Sequence, residues 1–77
     1  MNPDKLTKRQ SEVLGFLVSY VRTNQRPPSI REIGEKFGIM SPNGVVWHLK
    51  ALEKKGYIER DEKVARGIRI VQQGSRA

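Results

Sequence analysis

The sequence predicts an α+β domain of three helices followed by a two-stranded antiparallel hairpin. Three observations predict it. Apolar residues recur at helical spacing in three stretches, each preceded by Ser or Thr. Only two residues and a glycine separate the second stretch from the third. After Gly56 the apolar period changes from helical to alternating.

Thr7 suits the N-cap of the first helix, and Gln10 three positions on completes a capping box. On a helical wheel Val13, Leu14, Phe16, Leu17, Val18, Tyr20 and Val21 share one wide arc, with Lys8, Ser11, Glu12, Gly15, Ser19 and Arg22 opposite. This helix is expected to end near Asn24, ahead of Pro27-Pro28. Ser29 and Glu32 repeat the capping device for a short second helix, which places Ile30, Ile33 and Phe37 on one face and stops at Gly38. Ile39 and Met40 lead to Ser41, the cap of a third helix whose first position is Pro42, where a missing N–H costs nothing. The third helix is expected to run to about Lys55 and to carry a core stripe of Val45, Leu49 and Leu52. Tyr57-Ile58-Glu59-Arg60 and Ile68-Arg69-Ile70-Val71 read as paired strands around the polar stretch Asp61 to Gly67. The whole describes a winged helix-turn-helix over residues 1–71. Residues 72–77 show no apolar pattern and are expected to fray or to open an interdomain linker.

Composition narrows the function. The chain has 77 residues and no cysteine, which removes disulfides, a thiolate zinc site and a thiol nucleophile. His48 is the sole histidine, so no second imidazole completes a transition-metal site, and a packed or hydrogen-bonded ring is expected. No glycine-rich phosphate loop occurs, and the carboxylates near residue 60 alternate with Arg60 and Lys63. No catalytic residue, metal or cofactor is expected. The apolar run Val13 to Val21 is broken by Gly15 and Ser19 and falls short of the roughly 20 residues of a membrane span, so a soluble chain is expected. Lys and Arg number 15 against 8 acidic residues, a formal charge of +7. Residues 1–40 hold seven basic and four acidic groups and residues 41–77 eight and four, so the charge belongs to the folded body. It favours a polyanionic partner, nucleic acid first and an anionic membrane surface second.

The outer face of the third helix gives the sharpest argument. Opposite its core stripe lie Asn43, Trp47, Lys50 and Lys54, with Gly44 and Ala51 on one flank and Val46 on the other. A tryptophan facing away from the core points to a partner surface. In a DNA major groove Asn43 suits adenine, Lys50 guanine or phosphate, and Val46 with Trp47 a thymine methyl, while Gly44 permits close approach. Two structural alternatives stay open: Trp47 folds onto the wing to complete the core, and Asn43 merely decorates the first turn. Lys63 and Arg66 lie on the loop that would meet a minor groove or its phosphates. Arg9 and Lys54-Lys55 are placed to hold the DNA backbone, although each charge alone is equally an ordinary solvated group. A rival reading is a protein-interaction module anchored by Trp47; the surrounding lysines count against it.

Leu6-Thr7-x-Arg9-Gln10, Arg26-Pro27-Pro28-Ser29-x-Arg31-Glu32-Ile33, Ser41-Pro42-Asn43, the run His48 to Ile58 and Arg66-Gly67-Ile68-Arg69 together resemble the amino-terminal domain of the LexA repressor family, over about residues 5–71 without gaps. The resemblance implies sequence-specific operator binding by a transcriptional repressor of the bacterial SOS DNA-damage response, in the cytoplasm and on the nucleoid when bound. It places base contacts on Ser41, Asn43, Gly44, Val46 and Trp47, phosphate contacts on Arg9, Lys54 and Lys55, and the wing from Lys63 to Arg66 near the minor groove. Where forms of the family carry an acidic pair this chain has Val46-Trp47, which implies different bases. Full-length members add a domain that dimerises and cleaves its own chain at an Ala-Gly bond, using a serine and a lysine. This chain has no Ala-Gly dipeptide. The expectation is an isolated domain or a truncation, without enzymatic activity, monomeric or weakly dimeric in solution. Its full-length form would be a homodimer meeting a palindromic double-stranded operator.

Overall fold

A computed structural model describes residues 5–64 and 66–71. In chain order they form α1 (Lys8–Asn24), α2 (Ile30–Phe37), α3 (Pro42–Lys54), β1 (Ile58–Arg60) and β2 (Ile68–Ile70). This is the winged helix-turn-helix that the sequence predicts. The expectation for residues 72–77 lies outside the described residues.

Each helix begins where its cap dictates. Thr7 Oγ1 accepts from the Gln10 amide at 3.1 Å, and Gln10 Oε1 accepts from the Thr7 amide at 3.1 Å. Ser29 Oγ and Glu32 repeat the exchange at 3.2 and 2.8 Å. Each box satisfies two N–H groups that the helix itself leaves unpaired. At α3 the cap is one-sided: Ser41 Oγ accepts from the Asn43 amide at 3.2 Å, and the third helical residue, Gly44, has no side chain to reciprocate. α1 stops as Gln25 enters the left-handed region (φ 62°), and α2 stops at Gly38 (φ 68°), where the absent Cβ removes the steric cost.

The core is Val13 and Leu17 of α1, Ile33 of α2, Val45, Leu49 and Leu52 of α3, and Ile58 and Ile68 of the hairpin. Removing each such side chain from water is worth about 1.5–3 kcal/mol. Because α3 packs on α1, α2 and β1, its orientation is fixed from three sides. The turn into it is close-packed. A Cβ at Gly34 would lie 3.0 Å from the Ile39 carbonyl oxygen, and one at Gly44 would lie 2.8 Å from Ile39 Cγ2. Ile39 therefore plugs the turn, flanked by the two glycines.

The strands pair antiparallel, Ile58 with Ile70, Glu59 with Arg69 and Arg60 with Ile68. Each is one residue shorter than expected, although Val71 N–H still donates to the Tyr57 carbonyl at 2.9 Å. Glu59 and Arg69, directly opposite on the solvent side, form an ion pair. On the inner side the Arg60 side chain is nearly covered, and its guanidinium lies 3.9 Å from Glu53. That arrangement buries the aliphatic stem while the charge meets a carboxylate.

Candidate nucleic-acid interface

Burial of Val45, Leu49 and Leu52 turns the rest of α3 outward. Ser41, Asn43, Trp47, Lys50 and Lys54 are exposed, and Gly44 and Val46 are half-buried. Trp47 stays 65% exposed and does not fold onto the hairpin; its ring meets that of His48 edge-on at 5.2 Å. His48 is packed, and its enclosed Nδ1 has no hydrogen-bond partner among the described residues. The Gly44 position is shaped by Ile39 behind it, so a turn contact already accounts for the missing side chain.

In the sequence pattern Met40 counts only as a spacer between Gly38 and Ser41. It is 96% exposed and immediately precedes the Ser41 cap. A two-residue turn needs only one inward plug, and Ile39 supplies it, which leaves Met40 outward.

The basic residues divide into two groups. No ion pair among the described residues engages Lys50, Lys54 or Lys63, whose ammonium groups leave α3 and the wing loop into solvent. The Lys63 amide donates to Asp61 Oδ1 at 3.0 Å, which shapes the loop beneath it. Others are held by their own fold. Lys55 Nζ donates to the Lys5 carbonyl at 2.9 Å and to Gln10 Oε1 at 2.7 Å. Arg9 pairs with Glu12 at 3.6 Å and lies 5.5 Å from the centre of the Phe37 ring. Arg66 leaves the wing loop toward α2: Nη1 donates to Glu32 Oε1 at 2.7 Å and to the Pro27 carbonyl at 2.9 Å, and Nη2 to Glu32 Oε2 at 3.3 Å.

Glu32 also accepts from the Ser29 amide and, at 3.1 Å, from the Tyr20 hydroxyl. The Arg66 fork foremost, then the Ser29 amide, lowers the carboxyl pKa from the ordinary 4.5 to about 2. A depressed carboxylate stabilises the fold fully above pH 4.5, and that contribution is lost as pH falls toward 2. Thermal melting of the chain should therefore decline across this window. Glu32→Gln should be less stable at neutral pH but should show a shallower acid decline. Parallel acid profiles for the two proteins would refute this assignment.

Among the described residues no helix is long and apolar enough to cross a membrane, and no cluster of His, Asp or Glu is fit to hold a metal ion. α3 thus presents an exposed face that is backed by a packed core and flanked by solvated lysines. The family profile described as LexA DNA binding domain matches residues 3–67. The chain belongs to the LexA DNA-binding domain family. It is 52% identical over 65 residues to the LexA repressor of Myxococcus xanthus (strain DK1622), a match covering 84% of this chain and 29% of that protein. Against the LexA repressor of Staphylococcus aureus (strain USA300) it is 51% identical over 67 residues, 87% of this chain and 32% of the relative. The LexA repressor of Staphylococcus epidermidis matches to the same extent. The chain thus spans about a third of the length of these curated relatives. Every candidate contact from Arg9 to Arg66 lies within the span matched to the LexA family.

Proposed function

We propose that this LexA-family domain binds a double-stranded DNA operator sequence-specifically, with α3 in the major groove, as the reading head of a transcriptional repressor. The observation that carries the reading is a helix pinned from behind by Val45, Leu49 and Leu52 that presents Asn43, Trp47 and Lys50 outward. An α-helix about 10–12 Å across fits a groove about 12 Å wide. Asn43 serves adenine through its amide, Val46 and Trp47 offer apolar surface to a thymine methyl, and Lys50 reaches guanine or an adjacent phosphate. Ser41 and Gly44 bring the helix start against the groove floor. Lys54 and Lys63 meet phosphates on either side, with Lys55 beside the backbone at the join of α1 and α3 and Arg9 beside it from the start of α1, over Phe37 of α2. Arg66 holds the wing that carries Lys63. The name of the relatives, LexA repressor, supports repression; the family resemblance extends the proposal to the SOS response in the bacterial cytoplasm and to a full-length homodimer on a palindromic site.

Selection from randomised duplexes, followed by titration of the selected site across salt concentrations, tests this. Log affinity should fall linearly with log salt, with a slope of about −4 to −6 if five to seven phosphates are neutralised. Equal affinity for selected and scrambled duplexes at every salt concentration would overturn sequence-specific binding.

A further inference from the structure

The wing is lightly attached. Its strands are three residues long, and isolated two-stranded hairpins are marginal in water. At the base it is held by Ile58 and Ile68 in the core and by Arg60 beside Glu53. Its loop is bonded within itself: the Asp61 amide donates to the Gly67 carbonyl at 2.7 Å and the Gly67 amide to the Val64 carbonyl at 3.1 Å. The described residues of the loop thus bond to one another, and a second attachment joins them to α2. That attachment is Arg66, whose two nitrogens meet the two oxygens of Glu32 on α2. Tyr20 of α1 and the Ser29 amide hold the same carboxylate, and the Pro27 carbonyl takes a further Arg66 hydrogen. A two-pronged guanidinium–carboxylate contact fixes orientation as well as distance.

We propose that Glu32 and Arg66 are positioning residues for the duplex, a strut that sets the wing's angle to the helix-turn-helix so that Lys63 and α3 engage one DNA molecule together. The proposal rests on the DNA-binding reading above. It reverses the simple electrostatic expectation for this pair. If Arg66 met phosphate directly, freeing it from Glu32 would add a usable charge and strengthen binding. If it is a strut, freeing it lets the wing swing and weakens binding.

Glu32→Gln separates the two. Glutamine can still accept from the Ser29 amide, so the capping box survives, while the charged fork is lost. The selected duplex is titrated with the unaltered chain, Glu32→Gln, Lys63→Ala and the double variant, below the melting temperature of each. In the unaltered chain Lys63→Ala should reduce the salt slope by about 1. Glu32→Gln should weaken binding by about 3- to 10-fold, and in its background Lys63→Ala should have little further effect, the coupling expected of a shared element. Arg66→Lys, which keeps the charge but not the fork, should behave like Glu32→Gln. Unchanged or tighter binding by Glu32→Gln, with the Lys63 effect intact, overturns the strut. A silent Lys63→Ala in the unaltered chain removes the wing contact and the strut with it. Failure of the unaltered chain to prefer the selected duplex removes the DNA reading itself.

Discussion

Trp47→Ala should abolish much of the discrimination between operator and point-mismatched duplexes while leaving the fold intact. The side chain is 65% exposed, belongs to no part of the core and touches only the edge of His48 among the aromatic rings described. Exposed substitutions of this kind change stability by about 0.5 kcal/mol or less. A base-reading contact is worth far more: each mismatched pair typically costs about 1–3 kcal/mol, roughly 5- to 150-fold in affinity. The ratio of affinities for matched and mismatched duplexes should therefore collapse at the base pairs Trp47 meets. Lys54→Ala is the counterpart, expected to weaken all duplexes alike by losing a phosphate contact. Titration of a panel of single-mismatch duplexes, with thermal melts in parallel, measures both. An unchanged ratio in Trp47→Ala would remove the tryptophan from the reading face.

Leu49→Ala should have the opposite signature. Leu49 is fully enclosed at the centre of α3, among side chains from the helices and the hairpin. Truncating a buried leucine costs about 2–5 kcal/mol, because the lost transfer energy is joined by a residual cavity. Domains are stable by only about 5–15 kcal/mol, and small ones sit at the low end. The variant should be largely or partly unfolded near physiological temperature, read as a fall in the denaturant midpoint. Its folded fraction should retain the unaltered preference between duplexes, since no outward side chain has changed. A denaturant midpoint equal to that of the unaltered chain would mean that the core is not organised around α3.

What the sequence made legible was local. Thr7 with Gln10 and Ser29 with Glu32 lie three residues apart, so each helix start is written within one turn of chain. The stripe of Val45, Leu49 and Leu52 follows from helical spacing, and the exposure of Trp47 follows from the stripe. Strand ends were less legible: alternation of side chains does not say where a ladder stops, and Tyr57 and Val71 lie just beyond it. Contacts between distant residues left no local trace. Glu32 read as a cap partner alone because Arg66 is 34 positions away, and Lys55 read as a free cation because Gln10 is 45 positions away. Gly44 was visible as a glycine, but the obstacle that demands it, Ile39, becomes apparent only when the turn is folded.

One oxygen atom carries a wider consequence. Gln10 Oε1 accepts both from the Thr7 amide, closing the first turn of α1, and from Lys55 Nζ at the end of α3. Residues 10 and 55 therefore cannot drift independently in evolution. A carboxylate at 10 would keep the cap but change the pairing at 55, and a short side chain at 55 would leave a buried acceptor half-served. The outward side chains of Asn43, Trp47 and Lys50 share no such hydrogen bond with a distant element among the described residues. The fold thus keeps a heritable frame of linked positions, while these outward side chains of α3, and on the proposed function the bases they meet, are free to change one at a time.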